Sequence, residues 1–162
     1  MEMIDIVDEN DNVIDVKSID ETREKVLCHR GVVVLLLNSN NEVFVHQRKF
    51  SMKEYGGCWD FLIGGYVSSG ESYEQAAKRE LKEESGVDGE LEYLGDFTYK
   101  TDKDDWLGKL FKTVSDDKIA TQKEEIEEGF FIPLDKVNDF IEKHDIKPST
   151  LHIYKELKEH FK

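Results

Sequence analysis

One apolar run constrains the fold of this chain more than any other segment. Residues 31–38 read GVVVLLLN, with an unbroken apolar stretch from Val32 to Leu37. A strand that exposes one face to water alternates apolar and polar residues, whereas a strand covered on both faces is apolar throughout. The run is also far too short to cross a membrane as a helix. It therefore predicts a central strand that is buried on both faces.

Weaker patterns surround this strand. Residues 3–16 predict a β-hairpin with a polar turn, and Ser18 with Glu21 three residues later predicts the start of a short helix over 18–26. The segments 31–38 and 42–48 predict a second β-hairpin, and further strands are expected at 59–67, 91–101, 106–114 and 129–134. Two helices are expected at 135–144 and after Pro148. Because strands outnumber helices in a mixed order, we expect an α/β or α+β sandwich.

The charge of the chain excludes some classes of partner. Thirty-six acidic and 22 basic residues give a net charge of −14, which disfavours nucleic-acid polymers and anionic membrane surfaces. Cys28 and Cys58 stand far apart with no zinc-site spacing, and the acidic N-terminus does not resemble a signal peptide. We therefore expect a reduced, cytoplasmic protein.

The segment 64–87, GGYVSSGESYEQAAKRELKEESGV, predicts a helix with carboxylates in an unusual place. Ser72 with Gln75 fits a capping box and Gly86 fits a C-cap, so a helix is expected over about 73–84. At 100° per residue, Tyr73, Ala77 and Leu81 form the stripe that faces the core. Glu84 falls inside this stripe, Glu80 at its edge and Glu83 just beyond, whereas Glu74, Lys78, Lys82 and Ser85 are expected on the solvent face.

The three carboxylates Glu80, Glu83 and Glu84 predict a cation site. Like charges at these spacings repel one another, and the repulsion grows when they are partly desolvated. Clustered carboxylate oxygens suit a hard cation such as Mg²⁺. The competing interpretation is a solvated acidic run, which would place all three on the polar face. Arg79 lies within reach of Glu83 and of Glu71, either as a surface ion pair or as a residue that orients a catalytic carboxylate.

The same residues resemble the Nudix box. Gly65 is followed after five residues by Glu71, and after seven more by the run Arg79, Glu80, Leu81, then Glu83, Glu84, Gly86 and Val87. Every fixed position of that motif is filled. The resemblance implies an α/β/α sandwich with a mixed β-sheet, here preceded by an N-terminal β-hairpin.

The resemblance also implies an activity and its residues. It implies Mg²⁺-dependent hydrolysis, with Mn²⁺ as a substitute, of a nucleoside diphosphate linked to another moiety or of a related small diphosphate compound. Glu80, Glu83 and Glu84 would hold the metal together with the Gly64 carbonyl. Glu80 or Glu83 would act as the general base, and Arg79 would orient it. The auxiliary carboxylates would be Glu71 and, from the segment 123–131, Glu125, for which a charged approach to a strand is the alternative.

Residues 3–90 further resemble the Nudix branch that includes type 1 isopentenyl diphosphate isomerase. That isomerase has Cys-Gly-His where this chain has Gly64-Gly65-Tyr66, so the catalytic thiol and one metal-binding histidine are absent. Arg48 and Lys53 match basic residues that contact diphosphate in this branch, although Lys53 could be an exposed loop lysine. Three functions therefore stand side by side: a Nudix hydrolase, an isomerase-like enzyme, and a non-catalytic nucleotide-binding module.

The length of the chain favours one domain. With 162 residues it is long enough for one core and short for two. We expect a single Nudix domain over 1–162, made of an N-terminal hairpin and short helix (1–28), a catalytic core (29–134) and C-terminal helices (135–162). The hairpin and the last helix could serve a homodimer interface.

Overall fold

The computed structural model describes residues 1–162, which form nine strands and four α-helices. The strands are β1 (Met3–Val7), β2 (Val13–Ser18), β3 (His29–Leu37), β4 (Glu42–Arg48), β5 (Trp59–Asp60), β6 (Ile63–Tyr66), β7 (Glu92–Lys100), β8 (Asp105–Val114) and β9 (Ile126–Pro133). The helices are α1 (Ile19–Glu24), α2 (Tyr73–Ser85), α3 (Val137–Lys143) and α4 (Pro148–Glu156). Short 3₁₀ turns precede α3 at Leu134–Lys136 and follow α4 at Lys158–Phe161. No helix is long and apolar enough to span a membrane.

Strand β3 occupies the centre of the sheet, as its apolar run predicts. It pairs in parallel with β8 along its whole length and antiparallel with β6, and β7 continues the sheet beyond β8. The sheet is therefore mixed. Its residues from Gly31 to Leu37 are buried without interruption.

The two faces of β3 pack against different helices. Val32, Val34 and Leu36 share a buried cluster with the apolar side of α2. Their neighbours Val33, Leu35 and Leu37 share the other cluster with residues of α3 and α4, including Phe140 and Ile153. The predicted α/β/α sandwich is confirmed, because each face of the central strand is covered by a helical layer.

The prediction that β3 and β4 pair as a hairpin is wrong except next to the turn that joins them. Leu37 and Val43 form the only ladder pair between these strands, and β4 then pairs with β9 and β5 instead. Both edges of β3 are already occupied by β8 and β6, so β4 has no free edge to follow. The turn at 38–41 thus joins two parts of the sheet.

The predicted strand over 59–67 is likewise two strands. β5 pairs with β4 and β6 pairs with β3, so the chain crosses from one part of the sheet to the other between them. Asp60 stabilises this crossing, because its Oδ1 accepts hydrogen bonds from the Leu62 amide at 2.9 Å and the Thr150 hydroxyl at 2.7 Å. The crossing brings Gly64 and Gly65 beside helix α2.

The N-terminal hairpin is confirmed as β1 and β2, and α1 begins after Ser18, whose Oγ accepts from the Glu21 amide at 3.2 Å. The hairpin is tied to the central strand by Arg30. Its guanidinium contacts Asp11 at 2.7 Å and Asp5 at 3.7 Å. These ion pairs hold the hairpin against the central strand.

Candidate active site

Helix α2 is held firmly at both ends. Ser72 and Gln75 exchange the two hydrogen bonds of a capping box, and Gly86 closes the helix in the left-handed conformation with φ 76°. Capping satisfies backbone groups that would otherwise lack partners, and glycine adopts this φ without steric cost. The two caps therefore hold the helix and its carboxylates in a defined position. The observed bounds, Tyr73–Ser85, are close to the predicted 73–84.

The inner side of α2 carries two of the three predicted carboxylates. Ala77 and Leu81 are fully buried, while the Glu80 side chain is only 14% exposed and Glu84 is largely buried beside them. Glu83 lies at the margin, with its side chain 50% exposed. The solvated-run interpretation fails for Glu80 and Glu84, because a solvated charge would not lie against the sheet.

The prediction that Ser85 lies on the solvent face is wrong. Its side chain is fully buried, and its hydroxyl donates to the Leu81 carbonyl at 2.6 Å. Residues four apart share a face of a helix, so Ser85 continues the stripe of Leu81.

Arg79 connects the loop before α2 to the carboxylate cluster. Its guanidinium donates to Glu71, to Glu80 at 2.8 Å and to the Tyr66 carbonyl at 2.9 Å, and lies 3.5 Å from Glu83 Oε2. The Glu71 carboxylate also accepts from the Ser68 amide at 3.0 Å. Hydrogen bonds from Arg79 hold the pKa of Glu71 below its usual range.

Glu80 is buried where an ionised carboxylate is costly. Burial raises its pKa to about 7, and the contact with Arg79 offsets only part of this effect. The carboxylate packs directly on Gly65, where any Cβ would collide with it. The glycine is thus required for the close approach of strand β6 to the Glu80 side chain.

Glu84 accepts a hydrogen bond from the Gly64 amide at 3.0 Å. Burial raises its pKa well above the usual range, and the nearby charges of Glu80 and Asp60 add to the effect. In an antiparallel strand the N–H and C=O of one residue point to the same side. The Gly64 carbonyl, predicted as a ligand, is therefore directed away from β3 on the side of Glu84.

The donor set of α2 fits a hard divalent cation, although the side chains are not arranged around one point. No group of three or more His, Cys, Asp or Glu side chains surrounds a common centre. Glu80 and Glu83 both turn to Arg79, and Glu84 turns to Gly64. Arg79 pairs with Glu80 and Glu83 but does not contact Glu84, so the negative charge of the cluster is only partly compensated. Carboxylate oxygens of this kind suit Mg²⁺.

A cavity of about 310 Å³ opens beside these groups. Glu80, Glu84 and both glycines of β6 contribute to its wall, and Glu125 and Arg48 also line it. The cavity wall does not include Glu83, Arg79 or Glu71. Arg79 contacts Glu80 and Glu71 from outside the cavity. Lys53 does not line this cavity and lies in an adjoining depression that Arg23 and Arg48 also border.

His29, which fits a histidine of the isomerase-like branch and was expected to have a structural or substrate-contact role, lines the cavity from β3. Several other residues of the cavity were not identified from the sequence. They are Arg23 from α1, His46 from β4, Asp60 from β5 and Lys147 from the start of α4. His46 and Asp60 are paired across β4 and β5, and both are buried. A polar residue inside an otherwise apolar strand is a sequence signal that could have identified His46 and Asp60 as site residues. Arg23 and Lys147 lie in polar segments and carry no such signal.

Comparison with known proteins identifies a family for most of this chain. A model described as the NUDIX domain matches residues 28–157 of this chain. An uncharacterized Nudix hydrolase of Pseudomonas aeruginosa is 39% identical over 132 residues, which cover 81% of this chain and 78% of that protein. An isopentenyl-diphosphate Delta-isomerase of Photorhabdus laumondii is 29% identical over 153 residues, covering 90% of this chain and 87% of the isomerase.

The fold has counterparts among solved structures. A crystal structure from Deinococcus radiodurans superposes with a TM-score of 0.81 and covers 96% of this chain and 99% of that one, at 23% sequence identity. At this identity the similarity concerns the fold, which agrees with the sandwich described above.

Proposed function

The chain belongs to the Nudix family, and we propose on this premise that it is a Mg²⁺-dependent hydrolase of diphosphate bonds. The substrate is a nucleoside diphosphate linked to another moiety, or a related small diphosphate compound. Mn²⁺ is expected to substitute for Mg²⁺, because both accept carboxylate and carbonyl ligands.

One observation carries this proposal: two buried carboxylates, Glu80 and Glu84, line a cavity that also contains unpaired cationic side chains. The cavity wall includes Arg23, Arg48 and Lys147, none of which forms an ion pair within 4.0 Å. Carboxylates for a metal ion beside cations for phosphate oxygens are what the cleavage of a phosphoanhydride requires.

The residues of the chain have distinct roles in the proposed reaction. Glu80, Glu83, Glu84 and the Gly64 carbonyl would hold the metal ion, which when bound neutralises diphosphate charge and lowers the pKa of water. Glu80 or Glu83 accepts the proton of the attacking water. Arg79 keeps the Glu80 carboxylate in place through its contact with Oε1.

The auxiliary groups support this arrangement. Glu71 orients Arg79 from the loop before α2. Glu125, which directly precedes β9, supplies a further carboxylate at the cavity wall. Arg48 binds phosphate oxygens, because its guanidinium can form a fork of two parallel hydrogen bonds.

The isomerase reaction is less consistent with the site. Gly64 and Tyr66 stand where the isomerase motif has its cysteine and its histidine. Cys58 does not line the cavity, and burial raises the pKa of its thiol, which disfavours the reactive thiolate. The cavity therefore lacks the cysteine thiol that the isomerase reaction needs for proton transfer.

The proposal is tested with a panel of Mg²⁺-supplemented substrates: nucleoside triphosphates, sugar nucleotides, dinucleoside polyphosphates, dinucleotide cofactors and isopentenyl diphosphate. Product phosphates are measured after treatment with phosphatase. Glu83→Gln should lower kcat roughly 100-fold or more, because a metal ligand and candidate base is lost. Glu74→Gln, on the exposed side of the same helix, is the matched control.

The outcomes separate the three functions. Equal turnover by wild type and Glu83→Gln would contradict hydrolysis through the α2 carboxylates. Isomerisation of isopentenyl diphosphate by the wild type would favour the isomerase. Tight binding of a nucleotide without turnover in Mg²⁺ would favour a non-catalytic module.

A further inference from the structure

The four arginines of this acidic protein fall into two kinds. Arg30 and Arg79 are held in ion pairs with carboxylates. Arg23 and Arg48 form no ion pair within 4.0 Å, although the chain carries 36 acidic residues. Both unpaired arginines line the cavity that holds Glu80 and Glu84.

Each unpaired arginine is anchored through its Nε alone. Arg23 Nε donates to the Tyr66 hydroxyl at 2.8 Å, with its guanidinium 5.4 Å from the centre of that ring. Arg48 Nε donates to the Glu54 carbonyl at 3.1 Å. Neither residue uses Nη1 or Nη2 in a hydrogen bond within the protein. The side chains are thus positioned while their terminal donors remain available.

The chemistry of these donors indicates their ligand. Guanidinium groups with free terminal nitrogens bind phosphate oxygens through charge-assisted hydrogen bonds. Glu54 also borders the cavity, but its carboxylate forms no ion pair with either arginine. A phosphoryl group would satisfy donors that the protein leaves without partners.

We propose that Arg23 is a substrate-binding residue that holds a phosphoryl group of the substrate together with Arg48. The inference rests on the proposed diphosphate substrate and adds a residue from outside the segment that the NUDIX model matches, which begins at residue 28. Helix α1 then completes the binding site, because it carries Arg23 at the cavity wall, where Arg23 contacts Tyr66. Tyr66 is the positioning residue for Arg23.

Binding of inorganic pyrophosphate in Mg²⁺, measured by calorimetry, tests this role without turnover. Arg23→Gln should weaken binding roughly tenfold or more, as expected for the loss of a charge-assisted hydrogen bond. Lys25→Gln is the matched control, because it removes the same charge from the same segment and Lys25 contacts only Glu21, outside the cavity. Its affinity should stay within about twofold of the wild type.

Arg23→Lys keeps the positive charge but removes the guanidinium group, so it distinguishes the effect of the hydrogen bonds from that of the charge. It also provides a second variant if Arg23→Gln folds poorly. It should bind pyrophosphate more weakly than the wild type and more tightly than Arg23→Gln. Equal affinities of wild type and Arg23→Gln, or equal losses in Arg23→Gln and Lys25→Gln, would overturn the inference. So would a wild-type protein that does not bind pyrophosphate.

The inference and the proposed function fail differently. Turnover of a diphosphate substrate with no specific effect of Arg23→Gln would reject the role of Arg23 and leave the hydrolase intact. Pyrophosphate binding that depends on Arg23, in a protein that turns over no compound of the panel, would reject the hydrolase and leave the binding role.

Discussion

Arg79 donates two parallel hydrogen bonds to Glu71, from Nε to Oε2 at 2.9 Å and from Nη2 to Oε1 at 3.0 Å. This pair fixes the guanidinium so that its remaining nitrogen, Nη1, meets Glu80 at 2.8 Å. The loop before α2 thereby controls the position of Glu80, a carboxylate on the helix nine residues after Glu71. Glu71 acts on the site through Arg79, without lining the cavity.

Glu71→Gln should lower the free energy of unfolding at pH 7 by about 1–3 kcal/mol, because Arg79 loses its charged partner. The pKa of Glu71 is depressed in the folded protein, so its stabilisation is present above the unfolded pKa and is lost as the pH falls through the folded pKa. Urea unfolding of both proteins at pH 7 and pH 3 should therefore show a smaller difference at pH 3. A difference that is constant with pH would contradict the ion pair as the cause.

Glu84→Gln should stabilise the metal-free protein while it removes hydrolysis. Burial disfavours the ionised carboxylate and raises the pKa of Glu84, so the ionised form destabilises the folded protein. We expect a gain of about 1 kcal/mol, or roughly 2–4 °C in Tm at this chain length. Thermal unfolding with a chelator measures the gain, and Glu74→Gln should show none. A variant less stable than the wild type would argue against a strained buried charge.

Gly65→Ala should impair catalysis more than stability. A Cβ at this position would collide with the Glu80 carboxylate and displace it from Arg79. Displacement of a catalytic group by about 1 Å can cost roughly 100-fold in rate. Gly95→Ala is the control, because its added Cβ would lie 3.3 Å from Leu157 Cδ2, a flexible side chain distant from the site. Equal kcat/KM values for the two variants would show that Gly65 does not position Glu80.

Arg48→Gln and Lys53→Gln should differ, although the family resemblance implies substrate binding for both residues. Arg48 lines the cavity, and its loss should lower kcat/KM roughly tenfold or more. Lys53 borders only the adjoining depression, so its effect should stay near twofold. Steady-state kinetics on the best substrate of the panel measures both. A larger loss in Lys53→Gln would show that the substrate extends into that depression.

Local patterns predicted much of the fold correctly. The capping residues Ser72 and Gly86 bound α2 within one residue of expectation, because capping depends on neighbours only a few positions away. The apolar run of β3 was correctly assigned to the centre of the sheet. The pairing of β3 with β4 was not, since the edges of β3 are taken by residues of β6 and β8 that lie 29 or more positions further along the chain.

The sequence by itself determined the caps of α2, the inward direction of Glu80 and Glu84, and the burial of β3. Each follows from the period of a helix or a strand, which acts over a few residues. Only the tertiary structure decided that Arg23, Arg48 and Lys147 meet those carboxylates in one cavity. Their meeting depends on how distant strands pair and where the chain crosses between them, and no local periodicity specifies such contacts.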